Sequence, residues 1–339
     1  MSIIKKEKFL SAYIQLGKYL NTDSEELQDI VAKAARNNAW FQESEIKKAI
    51  TALAFMLNED DLNIWFDQIN LTDNPKKVGL ILAGNIPMVG IHDILCVIAS
   101  GHSALVKLSS SDTILIPFIV SKLSQFESSI SHRIEYVDRI QGYEAIIATG
   151  SNNSARYFDF YFGKVPNIIR KNRNSVAILN GNESDEQIHN LGRDIFDYFG
   201  LGCRNVSKIY LPKNYPIEKF YIPLSPYKVV LDNFKYQNNY DYNKSIYLVN
   251  LEQHYDNGFI LLKESASFSS PLGVLYFEYY DNLSELTDHL NQHLHELQCV
   301  LCEDPIQLNK TCLKFGNSQH PRLWDYADDI NTLKFLENL

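Results

Sequence analysis

Residues 78 to 108 read VGLILAGNIPMVGIHDILCVIASGHSALVKL and contain the pattern that decides the fold. Two short apolar runs, 78–83 and 104–108, enclose a segment in which apolar residues recur with a helical period. A continuous apolar run is typical of a parallel strand that is buried on both faces. The stretch therefore predicts a strand, a helix and a second strand, the repeating unit of an α/β sheet.

The same alternation of strand and helix patterns continues along the chain. Further strands are predicted at 133–137, 145–149 and 175–179, and later at 207–211, 246–250 and 273–280, with a helix over 283–297. The predicted fold is α/β, with a doubly wound Rossmann-like cofactor domain, an α/β catalytic domain and a helical N-terminal lead-in. The predicted boundaries are 1–70 for the lead-in, 71–172 for the cofactor domain, 173–314 for the catalytic domain and 315–339 for a C-terminal loop and helix that close the site.

Composition narrows the class of protein. The 339 residues carry a net charge of -9, which argues against nucleic-acid binding, because that function needs a basic face. The most apolar window, 78–99, contains Asn85, Pro87 and Asp93, so no membrane span is expected. The N-terminus lacks the apolar block of a signal peptide, and five cysteines form no disulfide spacing. These features predict free thiols and a cytoplasmic location.

Small, polar or cationic turns follow the predicted strands. In an open parallel sheet, ligands bind at the carboxyl ends of the strands, where helix N-termini favour phosphate. This position predicts a nucleotide cofactor, although both the GxGxxG fingerprint and the P-loop motif are absent. The residues at these ends are Gly84, Asn85, Lys107, Ser109, Ser110, Gly150 and Ser151.

The segment GLGCRNVS, residues 200–207, contains the candidate nucleophile. Cys203 is predicted to lie in a glycine-flanked turn between a helix and a strand, where backbone N–H groups surround the thiol. Such a thiol suits attack on a carbonyl carbon. The competing interpretation is a buried cysteine that acts as a small hydrophobic residue.

Several motifs resemble the aldehyde dehydrogenase superfamily in order and spacing. Through this resemblance, Asn85 in AGNIP is an oxyanion-hole asparagine and Lys107 in VKLSS contacts the cofactor. ATGS, residues 148–151, is the cofactor-phosphate turn, GLGC contains the catalytic Cys203, and FGNSQHP places Phe315 at the substrate tunnel. Taken singly, Asn85, Lys107 and the Gly150–Ser151 turn also fit ordinary turn or strand-end roles.

Within that superfamily the sequence is most similar to the LuxC-type acyl-CoA reductases, the fatty acid reductases of bacterial bioluminescence. The stretches that carry this resemblance are GLGCRNVSKIYLP and FGNSQHPRLWDYADDINTLKFL. It implies NADPH-dependent reduction of a fatty acyl thioester to the aldehyde, with acyl-CoA or an acylated partner protein as donor. An acyl-protein synthetase as partner and a homo-oligomeric assembly are implied in the same way.

Two departures from the wider superfamily refine this expectation. Oxidative members carry a glutamate that activates water, but the corresponding stretch here, RKNRNS at 170–175, has no carboxylate. Ser110 stands where NAD-preferring members have a glutamate, so NADPH is the expected cofactor. NAD stays the alternative, because Asp112 lies nearby.

Three other interpretations stay open or are disfavoured. A CoA-acylating aldehyde dehydrogenase or a cysteine acyltransferase without nicotinamide chemistry would use the same nucleophile. A zinc site is disfavoured and no metal is expected, because only one CxxC pair is present. The residues considered for zinc are His293, His295, Cys299, Cys302 and Cys312.

Overall fold

A computed structural model describes residues 2 to 339 and divides the chain into two compact units. The first unit comprises the chain through Asn172 together with His320–Leu339. The second unit comprises Arg173–Gln319. Each unit is built around its own sheet.

A five-stranded parallel sheet forms the centre of the first unit. Its strand order, β3-β2-β1-β4-β5, is that of a doubly wound nucleotide-binding sheet. The topological switch point, where the chain connections change from one side of β1 to the other, lies between β1 and β4. Val78 and Leu80 are fully buried, as expected for an apolar strand covered on both faces. The strands are β1 (Lys77–Ile81), β2 (Ser103–Lys107), β3 (Ile134–Tyr136), β4 (Ala145–Thr149) and β5 (Asn167–Arg170).

Helices precede and cover this sheet. The first helix buries Phe9, Tyr13 and Leu16 on one face, and the Tyr13 hydroxyl donates to the Leu95 carbonyl oxygen at 2.7 Å. The helical lead-in is therefore packed against the helix Ile91–Ala99, which itself contacts the sheet. The helices are α1 (Ser2–Leu20), α2 (Glu25–Asn37), α3 (Glu43–Met56), α4 (Glu59–Asp67), α5 (Ile91–Ala99), α6 (Leu115–Phe126) and α7 (Asn152–Phe162).

The last twenty residues return to the first unit. The His102 Nε2 donates to the Leu336 carbonyl oxygen, while its Nδ1 accepts from the Lys76 N–H, so the ring is neutral with the proton on Nε2. Burial lowers the pKa of His102, which agrees with that state. The sequence grouped 315–339 as one closing segment, whereas 320–339 pack with the first unit and 315–319 with the second.

The second unit contains a six-stranded sheet of order β11-β6-β7-β10-β9-β8. Neighbouring strands in this sheet pair in parallel, except that β8 pairs with β9 in antiparallel orientation. The strands are β6 (Asn174–Ile178), β7 (Val206–Pro212), β8 (Tyr255–Asp256), β9 (Leu261–Glu264), β10 (Val274–Tyr280) and β11 (Leu297–Cys302). The helices of this unit are α8 (Asp185–Phe196), α9 (Tyr221–Leu224), α10 (Phe234–Val249) and α11 (Leu283–Gln292), and α12 (Thr332–Glu337) belongs to the first unit.

Two elements of the second unit differ from the sequence-based expectation. The segment 246–250, predicted as a strand, continues α10 instead. Its short apolar run is misleading because the buried residues of this helix recur with a helical period: Tyr236, Tyr240, Asn243 and Tyr247. The helix predicted over 283–297 ends at Gln292, and the apolar run 297–302 forms the buried strand β11.

Between residues 2 and 339, no helix is long and apolar enough to cross a membrane. The most apolar helix, α5, has only nine residues and carries a buried aspartate, Asp93. That aspartate is paired with Arg170 inside the unit.

Candidate active site

Cys203 lies on an exposed loop between α8 and β7. The chain enters this loop through three consecutive residues with left-handed backbone, Tyr198, Phe199 and Gly200, at φ of 53°, 57° and 77°. Only the glycine adopts this conformation without steric cost. Burial of the two aromatic side chains stabilises the turn, and such strained turns are common at functional sites.

Asn205 stabilises the Cys203 loop through hydrogen bonds of its side chain. Its side chain is buried, its Oδ1 accepts from the Gly202 N–H at 2.8 Å, and its Nδ2 donates to the Asp197 and Asp194 carbonyl oxygens at 2.8 and 3.1 Å. These contacts satisfy carbonyl groups at the end of α8 and join them to the turn that contains Cys203. The loop is therefore preorganised by one asparagine.

Two further hydrogen-bonding side chains fix Cys203 and the residue that follows it. The Ser175 hydroxyl, on β6, donates to the Cys203 carbonyl oxygen at 2.8 Å and accepts from the Cys299 N–H at 3.1 Å. The Arg204 guanidinium donates to the Ser318 carbonyl oxygen at 3.4 Å. The cysteine backbone is thus tied to the sheet, while its side chain is exposed.

Asp194 connects α8 to the loop that contains Phe315. Its carboxylate accepts from the Gly316 N–H at 2.5 Å and from the Ser318 N–H at 2.9 Å. Burial raises the pKa of Asp194 to about 6 against the opposing effect of these hydrogen bonds. Phe315 itself is buried, and its N–H donates to Glu303 Oε1 at 3.0 Å. Its predicted role at a substrate tunnel stays a prediction.

The predicted cofactor turns meet at the carboxyl edge of the first sheet. The Leu82 N–H donates to the Lys107 carbonyl oxygen, which joins the turns after β1 and β2. A Cβ on Gly84 would lie 2.5 Å from Ser109 Oγ and 2.7 Å from Ser109 Cβ, so only glycine fits there. A backbone without a side chain at this edge permits the close approach that phosphate binding requires.

The remaining cofactor candidates lie around this edge. Lys107 ends β2, and its Nζ donates to the Asp138 carbonyl oxygen at 2.8 Å, while Ser110 is exposed. Gly150 follows β4, and Ser151 is the N-cap of α7, where its hydroxyl accepts from the Ser154 N–H. The residues present fit a nicotinamide dinucleotide: a cation, hydroxyls and a helix N-terminus face the edge where the strand order reverses.

Asp112 is a buried carboxylate that the backbone already uses. It accepts from the Met88 N–H at 2.8 Å and from the Leu115 N–H at 3.1 Å, and so caps α6 and fixes the turn after β1. Burial raises its pKa. Asp112 is therefore engaged by the protein's own backbone rather than presented to a ribose hydroxyl.

The site residues are divided between the units. Asn85, which is exposed, and the cofactor candidates belong to the first unit, whereas Cys203 and Phe315 belong to the second. The predicted pairing of Asn85 with Cys203 joins residues of different units and stays a prediction. The sequence analysis did not identify Asn205, Asp194 and Ser175. Their hydrogen-bond partners are backbone N–H and C=O groups, which every residue carries, so no sequence pattern marks them.

The thiols and histidines considered for zinc are dispersed. His293 follows the end of α11, Cys299 is buried beside Arg204, and Cys302 hydrogen-bonds with Cys312. Over the described part of the chain, no group of three or more His, Cys, Asp or Glu side chains could hold a metal ion.

Comparisons with known proteins show the fold. No protein-family model matches the sequence, and no curated protein matches it either. A benzaldehyde dehydrogenase from Corynebacterium glutamicum, described as NAD-dependent, has a TM-score of 0.63 at 11% identity over 88% of this chain and 76% of its own. A Mycobacterium tuberculosis aldehyde dehydrogenase solved with NAD+ has a TM-score of 0.60 at 11% identity, over 84% and 71%.

A third solved structure extends the match. Aldehyde dehydrogenase 21 from Physcomitrella patens, in complex with succinate, has a TM-score of 0.59 at 12% identity over 92% of this chain and 81% of its own. At these identities the likeness concerns the fold alone. The chain has the α/β fold of the aldehyde dehydrogenases.

Proposed function

We propose that the protein reduces a fatty acyl thioester, carried on CoA or on a protein, to the aldehyde with NADPH, through an acyl-enzyme on Cys203. The observation that carries this proposal is an exposed thiol on a loop held by Ser175 and Asn205, in a chain with the aldehyde dehydrogenase fold. A nucleophile that must attack and release an acyl group needs an accessible sulfur on a fixed backbone.

The first step is transfer of the acyl group to the enzyme. The Cys203 thiolate attacks the thioester carbonyl carbon, and the donor thiolate leaves. We propose that the Cys203 backbone N–H and the Asn85 side-chain amide donate to the oxyanion that develops. Loss of one such donor typically raises the barrier by about 3 kcal/mol.

The second step releases the aldehyde. When bound, NADPH supplies the hydride that reduces the acyl carbon. The resulting thiohemiacetal on Cys203 collapses to the aldehyde and frees the thiolate. Water must not compete with hydride, and this fits the lack of a carboxylate in 170–175, because hydrolysis of the acyl-enzyme has no general base there.

The preference for NADPH over NADH rests on two side chains. Ser110 is exposed and uncharged, so it tolerates a 2'-phosphate, and Lys107 supplies a cation in the same turn. The carboxylate of Asp112 is buried and occupied by backbone N–H donors, so it does not serve as an acceptor for a ribose hydroxyl.

The test is NADPH oxidation with acyl-CoAs of graded chain length, followed by absorbance and by detection of the aldehyde. We expect Cys203→Ala to lower the rate by about a thousandfold or more, because the nucleophile is lost. The matched control is Cys312→Ser, a half-buried thiol in the same unit, which should keep the wild-type rate.

Three outcomes would decide against the proposal. Absence of NADPH oxidation with every donor, while Cys203 becomes acylated, would favour a cysteine acyltransferase. Turnover only with aldehyde, CoA and NADP+ would favour a CoA-acylating aldehyde dehydrogenase. Full activity of Cys203→Ala would show that the nucleophile is another residue.

A further inference from the structure

A cavity in the second unit lies apart from the cysteine loop and contains two thiols. It has a volume of about 440 Å³ and lies at the end of β11. Cys302 and Cys312 both line it, and the other lining residues include Ile306, Leu308, Lys310 and Lys314. Both cysteines therefore line the same cavity.

The backbone places the two cysteines on one face of two bridged segments, two register positions apart. Leu313 pairs with Leu301 as an isolated parallel bridge, in which the Leu313 N–H donates to the Val300 carbonyl oxygen and the Cys302 N–H to the Leu313 carbonyl oxygen, both at 2.9 Å. Side chains alternate along paired strands. Because Cys302 follows Leu301 and Cys312 precedes Leu313, both cysteines project to the face opposite the leucines.

The two thiols interact directly. The hydrogen bond between them lowers the pKa of Cys312, whereas the same hydrogen bond and burial raise the pKa of Cys302. Cys312 is also the more exposed of the two, so it is the thiol that a peroxide reaches first. A thiolate beside a second thiol is the arrangement of an oxidation-sensitive dithiol.

The other cysteines lack these properties. Cys96 is fully buried in the first unit, and Cys299 is buried on β11 with its sulfur accepting from the Arg204 guanidinium. Cys203 is exposed, but its predicted role is covered by the proposed reaction. Among residues 2 to 339, Cys302 and Cys312 form the thiol pair that lines a cavity.

We propose that Cys302 and Cys312 are a dithiol site that hydroperoxides convert to an intramolecular disulfide. The Cys312 thiolate attacks one peroxide oxygen, the O–O bond breaks, and Cys312 becomes a sulfenic acid while water or an alcohol leaves. The Cys302 sulfur then attacks the Cys312 sulfur and expels water. The two thiols lose two electrons, and one hydroperoxide accepts them.

The disulfide would close a ring over residues 303–311. Glu303 is the first residue inside this ring, and its Oε1 accepts from the Phe315 N–H, outside the ring, at 3.0 Å. A thiol reductant would reopen it by exchange, so the modification is reversible. The disulfide involves Cys302 and Cys312, whereas the proposed reductase reaction uses Cys203, so the disulfide proposal does not depend on the proposed function.

The test is peptide mapping of the folded, full-length protein after treatment with hydrogen peroxide, without reductant. We expect a cross-linked peptide pair that joins Cys302 to Cys312, lighter than the free peptides by two hydrogen atoms, and lost after dithiothreitol. In Cys302→Ser, dimedone should trap the sulfenic acid on Cys312. In Cys312→Ser, dimedone labelling of Cys302 should be several-fold lower.

Controls keep the result interpretable. Cys203→Ser removes the exposed thiol of the candidate active site and should leave the cross-link unchanged. A circular dichroism melt of each variant establishes that it is folded. If a variant is not folded, the presence or absence of the Cys302–Cys312 cross-link in the wild-type peptide map tests the proposal alone. A link from Cys312 to another cysteine, a link that forms only in urea, or no link and no sulfenic acid would each overturn the proposal.

Discussion

Asp194 shows how one side chain carries structural and electrostatic functions together. It is fully buried on α8, and its two carboxylate oxygens accept from the backbone of the 316–318 loop. Its own carbonyl oxygen accepts from Asn205, which holds the loop of Cys203. The two loops of the candidate site in the second unit are thus anchored at the same residue.

Burial of this carboxyl group makes stability depend on pH. Its pKa is about 6 in the folded protein, above the ordinary value of 3.8, so the folded state binds the proton more tightly than the unfolded state. The corresponding stabilisation is complete below pH 3.8 and is lost as the pH rises through 6. Between pH 4.5 and 7.5 we expect a loss of about 2 kcal/mol from this group.

The measurement compares urea unfolding of the wild type with Asp194→Asn at both pH values. The wild type should lose about 2 kcal/mol relative to the variant between pH 4.5 and 7.5, because the asparagine does not titrate. Asp288→Asn, an exposed residue of α11, is the matched control and should show no such difference. A difference of the opposite sign would mean that hydrogen bonds to the ionised carboxylate outweigh its burial.

At the scale of elements, the cofactor edge depends on how closely two turns approach. The turn after β1 and the turn after β2 touch at Gly84 and Ser109, and Asp112 ties the former to the start of α6. Neither turn contains a recognised nucleotide-binding motif. Their proximity follows from the parallel pairing of β1 with β2.

Gly84→Ala should therefore disturb this edge. Its Cβ would lie 2.7 Å from Ser109 Cβ, so the two turns must separate. We expect NADP+ to bind about tenfold or more weakly, which corresponds to about 1.4 kcal/mol, as measured by fluorescence titration.

The chain offers both a rescue and a control for this substitution. Ser109→Gly in the Gly84→Ala background removes the nearest atoms and should restore part of the affinity. The control is Gly142→Asn, because no heavy atom lies within 4 Å of a Cβ at this position and asparagine tolerates the left-handed backbone there. NADP+ affinity of this variant should stay at the wild-type level. Unchanged affinity of Gly84→Ala would remove this edge from the cofactor site.

At the scale of the whole molecule, the chain leaves the first unit after Asn172 and returns to it at His320. A buried ion pair secures the return. The Arg170 guanidinium donates to both carboxylate oxygens of Asp93 and to the Thr332 hydroxyl at 3.0 Å, so β5, α5 and α12 meet at one cation. Arg170 is also the first residue of the stretch 170–175, which has no carboxylate where oxidative aldehyde dehydrogenases carry their water-activating glutamate.

Arg170→Met should destabilise the first unit by about 3 to 5 kcal/mol, because Asp93 is left buried without its partner. The double variant Arg170→Met with Asp93→Leu should recover most of this loss in chemical denaturation. Lys18→Met breaks an exposed ion pair with Glu59 in the same unit and should cost less than about 1 kcal/mol. Equal losses for the two single variants would contradict the structural role of the buried pair.

Sequence reasoning was most successful where a pattern is local. Periodicity predicted four of the five strands of the first sheet to within about two residues, because a buried parallel strand must be apolar along its length, whereas β5 was not predicted. It was wrong at 246–250, where a short apolar run belongs to a helix, and it missed β11 behind the helix signal of 283–292. Periodicity alone does not separate a short buried strand from a helix segment.

Local sequence patterns specified the α/β class, the order of strands and helices from β1 through α7, and the glycine-flanked turn that contains Cys203. These features depend on residues within a few positions of one another. The tertiary structure decided which distant groups support the turn: Asn205 with the end of α8, Ser175 with Cys203, and Asp194 with the 316–318 loop. It also brought Cys302 to Cys312. Such contacts join segments through sheet register and burial, and no local pattern encodes them.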